Sequence, residues 1–535
     1  MVSLLSSLNM TANTLSVNEK AISVVSHNVA NMNTEGYHKQ RVNFQTRNIA
    51  GAIGNNVNNQ IKANGGVKIA NVMRYNDEYL NNYYRTQLSE YSKLGQQLEG
   101  LGDLASILND LEGTGIDGAL SDFYKALNNL NEYPASSTAR INFIETAKTL
   151  TSTMNSKYQQ LQENTTKALG DGISQESLEN SKIYVQYREL NNKLEELASV
   201  NKALITTQTG TLEANNLLDK RDLILNEIAE FTDIKVVEKH NGAVNLYIGD
   251  TAVVKCAEVT GKLEIQTAKS YCDSQNPPIT YPDDWDGENA VISIVNPDTG
   301  EVINKNANAQ ITSGVLGGLL HFATDNGTGE NGVNAATVIQ SLDKLAQSIA
   351  DIFNDLNTRN GAYCINPDDT TKLQATTADN LIFVGADGTG QGITAGNIQI
   401  NSDLLTDDGC WKIACAYFGD PATNFDENAI GNAQNVVDML GTRTQKIADL
   451  DGMSLEDFYT GLVGKVASAG SNIKSLYETQ GEVINSIESK IKDATGVDLN
   501  EELVDLVKYQ TAYSAAAQVF NTCNSCLDVL MSLGG

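Results

Sequence analysis

The residue types able to do covalent or metal chemistry in this chain are four histidines, His27, His38, His240 and His321, and seven cysteines. The histidines show no metal spacing with one another. There is no His-Glu-x-x-His helix to hold zinc and no Gly-x-Ser-x-Gly turn to expose a nucleophilic serine. The cysteines are Cys256, Cys272, Cys364, Cys410, Cys415, Cys523 and Cys526. An odd, widely spread set is not a disulfide framework. Bridges between Cys256 and Cys272, or between Cys410 and Cys415, stay open for an oxidising compartment. Cys523-x-x-Cys526 has the spacing of a redox or metal half-site. It lies deep inside a helical pattern, whereas activated thiolates of that kind sit at a helix start, so it reads as two small core residues. Gly385, Gly388, Gly390 and Gly392 hint at a phosphate loop but lack its Lys-Ser/Thr, and no helix clearly opens behind them. Asp368-Asp369 and Asp407-Asp408 lack the spacing of an EF-hand. The expectation is therefore no catalytic set, no metal site and no cofactor.

Charge and length narrow the classes further. A chain of 535 residues is too long for a single core. A formal net charge of -29 argues against nucleic acid, whose phosphates would repel it. The excess is uneven: residues 1–90 carry eight Lys/Arg against five Asp/Glu, so a mildly basic start faces an acidic remainder. No run of eighteen apolar residues is present, so no membrane insertion is expected. Residues 1–30 lack the basic, apolar and small-residue order of a signal peptide. That implies either a cytoplasmic protein or export by a route that reads no such signal.

With chemistry absent, the pattern that stands out is mechanical. At the C-terminal end Leu499, Leu503, Leu506, Tyr509, Tyr513, Phe520, Leu527 and Leu530 recur at near-heptad spacing, as one long helix with an apolar seam. Leu4, Leu8, Leu15, Ile22, Val25 and Val29 repeat that spacing at the N-terminal end, with Thr11 and Asn18 as polar interruptions. A helix with one narrow apolar stripe needs a partner, and the two ends of the chain supply one another. Ordering them costs about 1–2 kcal/mol per residue in backbone entropy, so residues 1–40 and 498–535 are expected to order on assembly.

Between the ends the period alternates between helical and two. The first helix should stop near Asn33, with Gly36 as the left-handed residue that closes it. Val42 and Phe44 alternate against Lys39, Arg41 and Asn43 as a short strand, and Val67, Ile69, Asn71 and Met73 as a second, across a Gly/Asn-rich loop from Asn48 to Gly66. From Asp77 to about residue 230 helices with bundle-like periods dominate. Asp219, Arg221 and Asp222, in the last of them, read as surface charges that pair weakly. Asn241-Gly242 between alternating residues signals a hairpin, and Val291 to Ile303 a second. Helix returns near Ile311. Residues 360–425 are a second β-rich excursion in which Trp411 serves as a packing anchor, and helix then runs on to the end.

Four stretches carry a resemblance to known proteins. Ala30-Asn31-Met32-Asn33-Thr34-Glu35-Gly36-Tyr37-His38-Lys39-Gln40 resembles the Ala-Asn-x-x-Thr-x-Gly-Tyr-x-Arg-Gln motif of bacterial flagellar rod and hook proteins, with Asn31, Thr34, Gly36, Tyr37 and Gln40 as its matching positions. Lys39 departs from the usual Arg, keeping the charge but losing the two-pronged fork. Glu213 to Glu227 is similar to a stretch of the hook-associated protein 1 family, the hook–filament junction proteins; the segment around Ile311 resembles the same family, and Lys508 to Tyr513 is similar to the end of flagellar axial proteins.

The fold class expected is mainly α with inserted β: a terminal coiled-coil helix pair, a helical-bundle domain and small peripheral β domains. The division is 1–45 with 496–535 as terminal core; 46–233, 311–359 and 426–495 as helical domain; 234–310 as inserted β domain; and 360–425 as the second excursion. The resemblance implies a structural junction protein of the flagellum, exported by the flagellar type III apparatus and not an enzyme. Its implied partners are copies of itself in a ring, the hook protein, a second junction protein and flagellin on the filament side, and an export chaperone. Another axial protein, of hook or distal rod, and an exported adhesin using its β segments are the alternatives.

Overall fold

The computed structural model describes residues 2–48, 64–108, 115–282, 284, 287–323, 332–419 and 421–533. The chain is mainly helical with small antiparallel sheets inserted, the class its periodicities indicate. α1 (Val2–Asn31) leads into a hairpin of β1 (Gln40–Asn48) and β2 (Asn64–Arg74), and α14 (Leu499–Leu533) closes the chain. α1 and α14 lie against one another, and the hairpin packs on both through Val42, Ile69, Val72 and Tyr509. At ~1.5 Å per residue α14 is about 50 Å long. The middle of the expected loop, 49–63, falls outside the described residues.

Two expectations at this end are corrected. α1 ends at Asn31, near the expected stop, and Gly36 is left-handed as expected, φ 73°, but it lies in the turn that follows and does not itself close the helix. The alternation of Val67, Ile69, Asn71 and Met73 also fails. Asn43 pairs with Asn71 but Phe44 pairs with Ile69, so β2 carries an extra residue there. Such a bulge reverses which face later residues occupy. Ile69 and Val72 therefore pack inward, while Met73 is exposed.

The helical body begins with α2 (Glu78–Leu108), whose first turn is capped by Asp77 accepting from the Leu80 amide at 3.1 Å. α3 (Ile116–Glu132), α4 (Ser137–Leu169), α10 (Ala335–Thr358), α12 (Gln434–Gly441) and α13 (Leu455–Thr495) share one apolar core with α2, centred on Phe123, Phe143 and Phe353. α13 runs alongside α2 with Tyr91 stacked on Tyr477 at 4.3 Å.

A second core joins α5 (Gln175–Glu179), α6 (Lys182–Thr206), α7 (Leu212–Phe231) and α9 (Gly314–Ala323) to two sheets. One sheet has the order β3 (Lys235–Glu238), β4 (Val244–Ile248), β5 (Thr251–Lys255), β6 (Glu258–Val259). The other is β7 (Lys262–Thr267), β8 (Ala290–Val295), β9 (Val302–Asn304), with α8 (Ala268–Asp273) between its first two strands. The Asn241-Gly242 turn has φ 62° and 79° at its two residues, the left-handed pair such turns require. The sheets cover Ile224, Leu225 and Ile228 of α7 with Val244, Leu246 and Ile248, so the inserted strands and the helices before them exclude water together.

The second excursion holds β10 (Ala362–Asn366), β11 (Asp369–Ala375), β12 (Phe383–Val384), β13 (Gln399–Ile400) and β14 (Ala416–Tyr417), then α11 (Pro421–Asn424). Buried asparagines tie it to the bundle. Asn354 donates to the Phe383 carbonyl at 2.7 Å and accepts from the Ile382 and Phe383 amides. Fully buried Arg140 donates to the Pro134, Cys410 and Ile413 carbonyls, and its guanidinium faces the Trp411 ring at 5.6 Å. All seven cysteines are unpaired thiols.

Candidate assembly interface

The seam between α1 and α14 is where the two ends of the chain meet. On α1 the inward positions follow the expected heptad: Val25 is buried, and Leu4, Leu8, Leu15, Ile22 and Val29 are partly covered. The polar interruptions are buried more deeply than most of the leucines. Thr11 donates to the Ser7 carbonyl at 2.7 Å and Asn18 to the Thr14 carbonyl at 2.9 Å, which satisfies them within their own helix. On α14 Leu506, Tyr509, Phe520 and Leu527 are covered or partly covered. Leu499, Leu503, Tyr513 and Leu530 are exposed. The residue buried at the start of the seam is Glu502, one position before Leu503. The physical reason is that α14 is apolar around much of its circumference. Val504, Val507, Val519, Val529 and Met531 also face outward, so apolar spacing alone does not say which stripe α1 takes.

The motif turn 31–40 builds the base of this pair. Asn31 donates to the His27 carbonyl at 2.9 Å, and the Thr34 amide donates to the Asn31 carbonyl at 2.9 Å. Tyr37 donates its hydroxyl to Asn28 Oδ1 at 2.7 Å, and the Gln40 amide donates to the same oxygen at 3.1 Å. Asn28 Nδ2 returns a bond to the Gln40 carbonyl at 2.8 Å. Asn28 is thus the buried residue that clamps the turn onto α1, and it precedes the matched motif. Burial, with Asp219 and Glu502 nearby, pushes the Tyr37 phenol up and keeps it neutral.

A second constellation locks this terminal core to the helical body. α7 carries Asn215, Asp219, Asp222 and Asn226 at spacings of four, three and four, which places them along one face. Every member engages the hairpin or α2. Asn215 Nδ2 donates to Gln40 Oε1 at 2.9 Å and to the Val72 carbonyl at 3.1 Å. Asp219 Oδ1 accepts from Arg74 Nε at 2.7 Å and from His38 Nδ1 at 2.8 Å. The same His38 Nδ1 also lies 2.9 Å from Arg74 Nη2, so the imidazole, the carboxylate and the guanidinium meet at one point. Asp222 gathers three guanidinium groups: Arg74 Nη2 at 2.7 Å, Arg221 Nη2 at 2.8 Å and Arg85 Nη2 at 3.1 Å. Arg85 Nε also donates to Asn226 Oδ1 at 2.9 Å. Arg221 reaches Glu238 at 3.3 Å and the Gly242 carbonyl.

These charges are buried, which corrects the expectation that Asp219, Arg221 and Asp222 pair weakly at the surface. Asp222 and Arg221 are each 4% exposed and Arg85 5%. Burial alone would push the Asp222 carboxyl up. Arg221, Arg74 and Arg85 outweigh it and hold the group well below the usual carboxylate range. Three guanidinium groups face Asp219, Asp222 and Glu238, so the cluster is neutral overall. The partners on the hairpin lie more than a hundred residues from α7 in sequence, which is why the periodicity of α7 alone hides them. The polar stripe flanked by buried Ile224, Leu225 and Ile228 was the signal available.

Two further links complete the joint. The Lys39 amide donates to the Thr495 carbonyl at the end of α13 at 2.7 Å, and the Val72 amide to the Gly210 carbonyl before α7 at 2.7 Å. Lys39, in place of the motif's Arg, makes an ion pair with Glu501, and Arg41 pairs with Asp505 at 3.2 Å. Basic residues of the early segment thus meet acidic residues of α7 and α14, in line with the uneven charge of the chain. No cluster of His, Cys, Asp and Glu suited to a metal is found among the described residues, and no described helix is long and apolar enough to cross a membrane.

Residues 101–363 match the family model of the flagellar hook-associated protein FlgK helical domain. Residues 8–38 match that of the flagella basal body rod protein, and 493–533 that of the flagellar basal body rod FlgEFG protein C-terminal region. Flagellar hook-associated protein 1 of Bacillus subtilis is 25% identical, with 97% of each chain covered. Its namesake in Salmonella typhimurium is 23% identical over 98% of this chain and 99% of the relative. The flagellar hook junction protein FlgK of Burkholderia pseudomallei has a similar fold, with a TM-score of 0.52 at 13% identity, covering 76% of this chain and 99% of that one. Helical-domain and terminal models thus fall in order along one chain, and relatives named flagellar hook-associated protein 1 match it end to end at 25% identity or less.

Proposed function

We propose that this chain is a structural subunit of the hook–filament junction that assembles with copies of itself into a ring and performs no catalysis. The observation that carries the reading is the half-covered terminal pair. α14 packs one face on α1 and leaves Val504, Val507, Val519, Val529 and Met531 facing outward. Covering such a side chain contributes roughly 1.5–3 kcal/mol, which is available only when a neighbour supplies the cover. The buried charge joint supports the same reading, because a subunit that hands on mechanical load needs its terminal core held at a fixed angle to its body.

On this reading hook protein lies on one side of the ring, and a second junction protein with flagellin on the other. The chain leaves the cell through the flagellar type III apparatus, aided by an export chaperone that keeps the terminal helices from premature association. The test is genetic. Cells lacking the chain should build hooks, fail to grow filaments and release unpolymerised flagellin, and a chain truncated after Gly496 should be secreted without restoring filaments. Normal filaments in the deletion strain would refute the proposal.

A further inference from the structure

Three buried thiols, Cys364, Cys410 and Cys415, lie within reach of the Arg140 charge in the second excursion. Strand register opposes two of them. β10 and β14 run antiparallel, with Ala362 against Tyr417 and Tyr363 against Ala416. One step further sets Cys364 opposite Cys415, the residue just before β14. The Phe418 amide donates to the Gly361 carbonyl at 2.8 Å, so those two form a hydrogen-bonded pair. Pair types alternate along an antiparallel ladder. Cys364 and Cys415 therefore fall in the non-hydrogen-bonded class. The backbone agrees: the Cys415 carbonyl accepts from the Asn435 amide at 3.0 Å and not from β10. Partners of this class have Cα atoms about 4.5 Å apart and side chains on one face. A disulfide needs a Cα separation of about 4.4–6.8 Å.

The other thiols are placed differently. Cys410 sits off the ladder in the turn Gly409–Lys412, and Arg140 holds its carbonyl at 3.3 Å. Cys256 lies between β5 and β6, whereas Cys272 is on α8 in the other sheet.

We propose that Cys364 and Cys415 close into a disulfide when the chain folds in an oxidising medium, stapling β14 to β10. The export reading supplies that medium, since cytosolic thiols stay reduced. The oxidant is a small-molecule disulfide. One cysteine thiolate attacks it, forming a mixed disulfide and releasing one thiolate. The second cysteine thiolate then attacks the protein-bound sulfur and releases the other. Two protein thiols thus give up two electrons and two protons, and the small disulfide becomes two thiols. Burial pushes both cysteine thiols up, against the pull of Arg140, and shuts them from solvent, at 1% and 2% exposure. The exchange therefore belongs to folding, before β14 docks. The bond closes a loop of about 50 residues, which removes much freedom from the unfolded chain.

The experiment uses the full chain carrying Cys523→Ser and Cys526→Ser, so that the α14 thiols take no part. It is unfolded with reductant, refolded in oxidised and reduced glutathione, alkylated, and digested without reduction. Refolding in dithiothreitol, to the same circular dichroism, is the folding control. Mass spectrometry should find a Cys364–Cys415 peptide as the dominant cross-link, and reducing it should lower the melting temperature by several degrees. Cys410→Ser should keep the link, and Cys415→Ser should leave Cys364 unlinked to any other cysteine. Free, alkylated Cys364 and Cys415 after folding in the glutathione mixture, or a Cys410–Cys415 link in their place, would overturn the proposal. Neither result bears on the junction reading, which the deletion strain tests.

Discussion

Replacing Asp222 by Ala removes the one carboxylate that three buried guanidinium groups share. Arg74 would retain Asp219 at 2.7 Å, and Arg221 would retain Glu238 at 3.3 Å. Arg85 would be left with the Asn226 and Asn82 side-chain oxygens at 2.9 and 3.3 Å, and no charge partner. Breaking a buried pair from one side costs about 3–5 kcal/mol, because an uncompensated charge stays behind. At about 1.4 kcal/mol per factor of ten, the equilibrium for opening the joint should shift by roughly 10² to 10⁴. Hydrogen exchange of β2 and α7 in the full chain reads that opening directly. Asp273→Ala in the exposed Lys269–Asp273 pair, 3.3 Å apart on α8, is the control and should change little, within about 0.5 kcal/mol. The dependence on pH has a definite sign. Because the Asp222 carboxyl is depressed in the fold, its contribution is complete above the ordinary carboxylate range and is lost as pH falls through its folded value. A cost below about 1 kcal/mol for Asp222→Ala would mean that the cluster behaves as a surface network, and the joint would then lose its proposed part in setting the subunit's geometry.

Other consequences follow from the packing. Gly36→Val should cost about 1–2 kcal/mol from its φ of 73° alone, since an added Cβ meets Leu223 only at 3.6 Å. Gly314→Ala should cost distinctly more in a thermal melt, because its Cβ would stand 2.3 Å from the Phe231 backbone. Among the thiols, exposed Cys526 should react first with a maleimide, and buried Cys272, Cys364, Cys410 and Cys415 only on unfolding; burial also pushes those four thiols up, away from the reactive thiolate. Replacing residues 238–305 by a short linker should strip protection from α6 and α7, because Leu246, Ile248, Ile265 and Ile292 share their core.

How far the sequence reveals this molecule depends on the range of the interaction. Helices α2, α4 and α13 are visible because each repeats Leu, Ile or Phe on one face over many turns. The Asn241-Gly242 hairpin is visible because the turn itself demands those residues. The β2 bulge escapes because it adds one residue without changing composition. The start of the α14 seam escapes because Leu503 and Val504 are as apolar as the side that docks, and the choice of Glu502 is made by Asn28, Tyr37 and Lys39 far away in the chain. The joint escapes for the same reason: Asp219 and Asp222 look like solvated charges until Arg74 and Arg85 are brought across from the hairpin and α2. Of the motif positions, Tyr37 and Gln40 proved to contact Asn28, a residue that the motif itself does not mark.

The central claim is that the outward face of α14 is covered by neighbouring subunits in the flagellum. Val507 is 61% exposed in the single chain, and a Val507→Cys variant in an otherwise cysteine-free background places a thiol on that face. Its rate of maleimide labelling should be fast in the purified chain and strongly suppressed in isolated hook–filament structures. Equal labelling in both would show that this face stays open to solvent, and the account of assembly would be wrong.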